Sequence, residues 1–250
     1  MALSIFSVLR QHGTITEETL AQSFLDHYDL TRGYGPAISR FLHHTKSPSA
    51  LLEAARALFD GQGSYGNGSA MRIAPLGAYF ADDLEQVIDQ TRRSSIVTHT
   101  HPEAVAGAVA VAVAATQAWR LRSSPPPGCH AFLESILPYV PESEVKARLR
   151  RALSFSPDTS IYHIAAMLGN GSQISAQDTV PFTLWCAGQH LDHYEAALWL
   201  TAKGLGDVDT TCAIVGGIVA TYTGLEGIPP MWRAYREQLP EWPFQEETRG

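Results

Sequence analysis

The chain is poor in charge, in basic residues and in cysteine, and each shortage excludes something. Charged residues make up 17% of the 250 positions, a low share that points to much interior helix and little solvated surface. Lys and Arg number 18 against 25 Asp and Glu, a net charge of −7. That balance argues against nucleic acid or an anionic membrane as partner, since both call for a basic face. An anionic small molecule stays open, because a bound divalent ion reverses the local field. The three cysteines, Cys129, Cys186 and Cys212, are widely spaced and odd in number. Neither a disulfide framework nor a cysteine metal site is expected of them, and buried thiols in a reducing compartment are the simpler reading. No charged start followed by an apolar core marks a signal peptide. The most apolar stretch, Ala104 to Ala115, is too short and too rich in Ala and Gly to span a bilayer. These absences predict a monomeric cytoplasmic protein.

Strand patterning is missing as well; nowhere do apolar and polar residues alternate convincingly. Helical spacing recurs instead. Ala2 to Leu9 reads as a helix with no cap ahead of it. Thr16-Glu17-Glu18 leads into Leu20, Phe24 and Leu25, with acidic residues in the first turn where the dipole favours them. Ser47-Pro48 opens a capped helix through Phe59. His101-Pro102 opens another that runs to about Trp119. Its small residues, Gly107, Ala108, Ala112 and Ala115, suit a central helix approached closely by neighbours. Glu142 to Leu153, Ile161 to Leu168, Val180 to Gln189, Tyr194 to Lys203 and Thr210 to Tyr222 complete the set. Ser123 to Gly128 is expected as a surface loop, and the tail from Pro229 as peripheral. The expected architecture is a single all-α domain over 1–250, compact and multi-helical.

Three segments carry chemistry. Gly206-Asp207-Val208-Asp209-Thr210-Thr211 places two carboxylates and a hydroxyl at the head of an apolar segment. Burying unpaired carboxylates is costly, and hard cations take oxygen ligands of this type; equally, one Asp could cap the helix that follows. The run Gly61 to Arg72 holds the glycine-rich loop Ser64-Tyr65-Gly66-Asn67-Gly68, whose backbone could approach a ligand closely. It leads into Met71 to Gly77, expected as a buried helix that holds the loop. Thr98-His99-Thr100-His101-Pro102 carries two His before a helix, suited to capping or lining a pocket more than to a zinc site.

In order and spacing, Gly66-Asn67-Gly68-Ser69-Ala70-Met71-Arg72, Thr98-His99-Thr100-His101-Pro102 and Gly206-Asp207-Val208-Asp209-Thr210-Thr211 resemble the motifs of the ADP-ribosylglycohydrolase family. The turn Arg32-Gly33-Tyr34-Gly35 matches too, and the likeness spans nearly the whole chain. The resemblance implies an all-α fold whose cleft holds two Mg2+ ions (Mn2+ in some members), which grip the ribose diol of an ADP-ribosyl group. It implies an ADP-ribosylated protein or an ADP-ribose-type small molecule as partner. By matching positions it makes Asp207, Asp209 and Thr210 metal ligands, with Asp209 also a candidate in catalysis. Ser64, Tyr65, Gly66, Asn67, Gly68 and Met71 are expected around the diphosphate and distal ribose, His99 against a ribose, and the Gly35 backbone on the phosphate side.

One departure weighs against full activity. The family carries the other half of its metal site in a Thr-Asp-Asp-Thr motif before a helix resembling Met1 to Phe6, and residues 1–250 contain no Thr-Asp-Asp. The expectation is a chain cut short relative to the family, holding half of a two-metal site. Three roles follow from it: a magnesium-dependent hydrolase with impaired turnover, a binding pseudoenzyme, or a structural relative of the crystallin-like kind.

Overall fold

The computed structural model describes residues 1–244, save the side chains of Pro36 and Ala37. Among these residues there are fourteen α-helices and no β-strand, only one isolated antiparallel bridge between Gly66 and Ser175. In chain order the helices are α1 (Ala2–His12), α2 (Glu17–Asp26), α3 (Pro36–His44), α4 (Pro48–Ala57), α5 (Ala74–Tyr79), α6 (Leu84–Ile96) and α7 (Pro102–Leu121). They continue as α8 (Cys129–Ile136), α9 (Glu144–Ala152), α10 (Ile161–Leu168), α11 (Ala176–Gln189), α12 (Tyr194–Lys203), α13 (Val208–Thr223) and α14 (Pro230–Tyr235). The all-α expectation holds.

Local signals account for the helix starts. Thr16 closes a capping box with Thr19 on α2, and the hydroxyls of Ser47 and Ser143 accept from Ala50 and Lys146 amides at the heads of α4 and α9. Helix α1 has no side-chain cap at its start, as its sequence suggests, and ends on Gly13 in the left-handed conformation. Helices α3, α6, α8 and α14 were not among the expected ones. Helix α6 shows why: its mean hydropathy is low, and only Val87, Gln90, Thr91, Ser94 and Ser95 are buried, most of them polar.

Helix α7 is the axis of the core. It packs against α5, α6, α11 and α13, and its residues from Ala106 to Ala115 are all buried. Its small side chains set the spacing. A Cβ on Gly107 would stand 2.9 Å from the Ala176 Cβ, and one on Gly77 of α5 would collide with the Ala112 carbonyl. The 20-residue helix passes the length and composition test for a membrane span, which the shorter stretch Ala104 to Ala115 did not. Yet 72% of its apolar window is buried inside the fold, the mark of a core helix.

Two expectations change. Met71 to Gly77 is not one helix but a 3₁₀ turn, Ala70–Arg72, followed by α5. Pro75 in the first turn of α5 lacks an N–H and biases Ala74 away from a continuing helix, so the chain restarts there. The tail is not peripheral. Trp242 stacks on His27 with ring centres 3.5 Å apart, Phe244 packs on Phe6, and Glu237 pairs with Arg32 at 2.7 Å. Positions 245–250 lie outside the described residues.

Candidate functional site

The chemistry-bearing segments converge on one cleft of about 1490 Å³. Its walls include Gly35, Ser64, Tyr65, Gly66, Asn67, Gly68, Met71, His99, Asp207, Asp209 and Thr210, which is every residue the resemblance assigned to ligand or metal. Tail residues Glu237 to Pro240 and Trp242 form part of the rim.

The acidic turn sits at the head of α13. Gly206, at φ 76°, delivers the chain into it, a conformation that disfavours any side chain. Asp207 occupies the N-cap position, but its side chain makes no cap hydrogen bond. The capping alternative therefore fails for this carboxylate, which turns outward to the cleft. The Asn67 amide donates to Asp207 Oδ2 at 2.9 Å and to Thr179 Oγ1 at 3.0 Å. Burial raises the Asp207 pKa and the facing Asp209 carboxyl raises it further, while Asn67 and Thr210 pull it back. The cluster is less enclosed than its sequence suggests: Asp207 is half-buried and Asp209 exposed, and only Thr210 is buried. Thr210 Oγ1 lies 3.9 Å from Met71 Sδ, which joins the acidic turn to the glycine-rich segment.

The glycine-rich loop is held, though not by the helix after it. Its clamp is the segment between α10 and α11. The Asn67 amide N–H donates to the Ile174 carbonyl at 3.2 Å and the Ala176 N–H to the Tyr65 carbonyl at 2.9 Å. Ser64 Oγ accepts from the Gly66 N–H at 3.2 Å. Glycine is required in this loop by a side chain as well as by any ligand. A Cβ on Gly68 would come 2.9 Å from His99 Cε1, and one on Gly66 3.3 Å from His99 Nε2. The imidazole lies directly beneath the loop. By contrast, nothing stands within 4 Å of a Cβ on Gly35, so its side there is open.

His99 is buried, with Nδ1 2.7 Å from Thr98 Oγ1. Burial, and after it the charge of Arg72, lowers its pKa to about 3. It is a neutral imidazole at pH 7. His101 has the other role: it caps α7, its Nδ1 accepting from the Glu103 N–H at 3.1 Å, and its ring meets Tyr65 edge-on.

Sequence reasoning missed the segment Gly169 to Ser175. The Asn170 carbonyl accepts from the Asp207 N–H at 3.1 Å, and its side chain bonds the Gly204 carbonyl and Ser172. Gly171 lies so close that a Cβ there would stand 2.6 Å from the Asp207 Cβ. Ile174, a β-branched residue at φ 54° and 64% exposed, is a backbone outlier on the cleft wall. A signal was present. The tetrapeptide Gly66-Asn67-Gly68-Ser69 recurs as Gly169-Asn170-Gly171-Ser172, and the two asparagines hold Asp207 from either side.

A neutral His under a glycine loop, joined in one cleft wall to an acidic turn within an all-helical frame, defines a class of α-helical binding or hydrolytic site. The chain belongs to the ADP-ribosylglycohydrolase family, whose model matches residues 1–248. It is 27% identical to ADP-ribosylhydrolase ARH3 from Bos taurus, over 93% of this chain and 71% of that protein. To an uncharacterised protein of Archaeoglobus fulgidus it is 32% identical, over 81% of this chain and 63% of the relative. Among solved structures, a chain of an ADP-ribosylglycohydrolase-related protein complex superposes with a TM-score of 0.62 at 24% identity, covering 92% of this chain and 72% of that one. That likeness concerns the fold.

Proposed function

We propose that the cleft binds an ADP-ribosyl group and serves hydrolysis of its glycosidic bond to a protein side chain or small molecule. The observation that carries this reading is the Asn67–Asp207 hydrogen bond. It unites the glycine loop, suited to phosphate and hydroxyl oxygens, with the acidic turn in one wall. Family membership and the ARH3 relatives support the reaction class.

The donors suit a hard cation by type. Asp207, Asp209 and Thr210 offer carboxylate and hydroxyl oxygen only, and no cluster of three or more His, Cys, Asp and Glu exists among the described residues. We assign these three residues to one Mg2+ or Mn2+, because Mg2+ keeps several waters and needs few protein ligands. Such an ion, when bound, orients the ribose diol and water and offsets charge in the transition state.

The chain's own residues do the rest. Asn67 fixes the Asp207 carboxylate, so that it need not rotate toward a cap. The facing carboxylates of Asp207 and Asp209 favour the positive character of an oxocarbenium-like transition state. Neutral His99 offers a hydrogen bond without adding positive charge against it. The loop Ser64 to Gly68 and the exposed Tyr65 ring take the diphosphate side, with Gly35 across the cleft. With one acidic turn lining the cleft among the described residues, turnover by this chain should be slow. Binding and turnover separate by experiment: calorimetric titration with ADP-ribose and MgCl2 should give saturable binding. Release of ADP-ribose from an ADP-ribosylated arginine or serine protein should be weak. Absence of ADP-ribose binding would sink the proposal; robust turnover abolished by Asp209→Ala would overturn the single-ion assignment.

A further inference from the structure

The side-chain amide of Asn67 has a polarity, and a residue behind the cleft wall sets it. Asn67 is buried but lines the cleft, while Thr179, the fourth residue of α11, is fully buried. Thr179 Oγ1 donates to the Ser175 carbonyl at 2.8 Å, the back-bond a helical Thr makes to the residue one turn before it. A hydroxyl has only one proton to give. Toward Asn67 it can therefore only accept, and Asn67 Nδ2 donates to it at 3.0 Å. The other Nδ2 proton goes to Asp207 Oδ2 at 2.9 Å. Turned about, the amide would set its oxygen against a carboxylate oxygen and against a hydroxyl whose proton is already spent.

Both amide protons are thus used inside the protein, and the oxygen is left over. Asn67 Oδ1 accepts no hydrogen bond among the described residues, yet it keeps accessible surface, so it meets the cleft. The repeated tetrapeptide supplies a contrast. In its second copy Asn170 Oδ1 accepts from the N–H and the hydroxyl of Ser172, and Nδ2 donates to the Gly204 carbonyl. There the oxygen is consumed by its own turn. In the first copy Ser69 Oγ donates to the Ala104 carbonyl at 3.3 Å instead, and the Asn67 oxygen stays free.

We propose that Thr179 is a positioning residue of the site, whose hydroxyl fixes the Asn67 amide with its NH2 toward Asp207 and its oxygen toward the cleft. Without that hydroxyl one amide proton is buried with no acceptor, and the amide must turn from Asp207 to find one. What the Asn67 side chain offers an entering ligand is then an acceptor alone, matched to a hydroxyl and not to a phosphate oxygen. The role in binding rests on the ADP-ribosyl reading; the polarity of the amide does not.

The polarity is read first, on the full chain labelled with nitrogen-15, in chelator and without ligand. The Asn67 NH2 pair, assigned from its own backbone, should exchange with water about tenfold more slowly than that of exposed Gln62. Thr179→Val, of the same shape without the hydroxyl, should speed that exchange about fivefold, and Thr179→Ser should not. Exchange as fast as at Gln62 in the wild type overturns the proposal, and that measurement needs no variant to fold. So does Thr179→Val with the pair still protected. Calorimetry with ADP-ribose and MgCl2 then separates positioning from mere support. Thr179→Val should weaken binding about fivefold, and Thr179→Ser should restore it to within about twofold. In an Asn67→Ala background Thr179→Val should cost nothing further, because the hydroxyl acts through that amide. An equal further loss there would mean that Thr179 only supports the fold, and would overturn the assignment. If no chain binds ADP-ribose while the exchange pattern holds, the proposed function fails and the amide polarity stands.

Discussion

The Asn67 amide reaches across 140 positions of sequence to the Asp207 carboxylate at 2.9 Å, and from the same nitrogen donates to Thr179 at 3.0 Å. One buried side chain thus ties the glycine loop, the head of α13 and the first turns of α11 together. Asn67→Ala should remove both bonds, leaving Thr179 Oγ1 its bond to the Ser175 carbonyl, at a cost of about 1–3 kcal/mol in stability. ADP-ribose affinity should fall at least tenfold, since the acidic turn loses its register with the loop. Chemical denaturation and calorimetry measure the two effects. Wild-type affinity in the variant would contradict the role given to this bond.

Stability should fall with pH in a window set by His99. Its pKa is about 3 in the folded protein against an ordinary value of 6.5. Below 6.5 the unfolded chain takes up a proton that the folded chain refuses, so stability falls from there down to about 3 and is unaffected above. The slope contributed by this one group approaches about 1.4 kcal/mol per pH unit. His99→Gln removes that contribution. Urea denaturation of both chains at pH 7.5, 5.5 and 4.5 should show the wild type losing more stability toward acid than the variant; parallel curves would refute the assignment.

Two glycines of the cleft should differ in their response to alanine. At Gly68 the new methyl meets His99 Cε1 at 2.9 Å, inside a packed wall where overpacking costs about 1–3 kcal/mol. At Gly35 it meets nothing within 4 Å and φ is −52°, so stability should stay within about 0.5 kcal/mol of wild type. Melting curves of the two variants decide it. Equal destabilisation would mean that loop strain, and not the His99 ring, fixes the glycine at 68.

Asp209→Asn should have opposite effects with and without metal. Asp209 faces Asp207 and raises its pKa, so removing one charge relieves repulsion in the metal-free chain by about 0.5 kcal/mol. Magnesium affinity should drop more than tenfold, because a carboxylate ligand becomes a neutral amide. Differential scanning in chelator and in MgCl2 reads both. A variant less stable in chelator and unchanged in magnesium would argue that the carboxylate serves the fold alone.

Much of the fold was legible where a helix carries its own signals. Tyr194–Lys203 and Ile161–Leu168 match their expected bounds, because apolar spacing and flanking residues both mark them. Helix α6 escaped because its buried face is Val87 with Gln90, Thr91, Ser94 and Ser95; a core face with one apolar residue lacks the apolar spacing by which the other helices were recognised. The tail escaped for a related reason. Its attachments are single contacts, Trp242 on His27 and Glu237 on Arg32, and no periodicity announces a contact between positions so far apart. In the site, the acidic turn and glycine loop stood out by composition, whereas Gly169 to Ser175 did not, although it repeats the Gly-Asn-Gly-Ser of the loop.

By itself the sequence determined the helical class, the composition of the acidic turn and glycine loop, and their likeness to one family. These are properties of residue type and local spacing, which the chain carries wherever it goes. Tertiary structure decided that the Asp207 carboxylate bonds Asn67 and not the head of its own helix, and that the His99 ring crowds any side chain at Gly66 or Gly68. Those outcomes depend on what the fold brings within a few ångströms. Asn67 beside Asp207, His99 beneath Gly68 and Arg72 against the Ser94 carbonyl and Phe24 ring are all long-range meetings. Burial then sets their energies, turning a hydrogen bond into a clamp and an imidazole into a group that is neutral at pH 7.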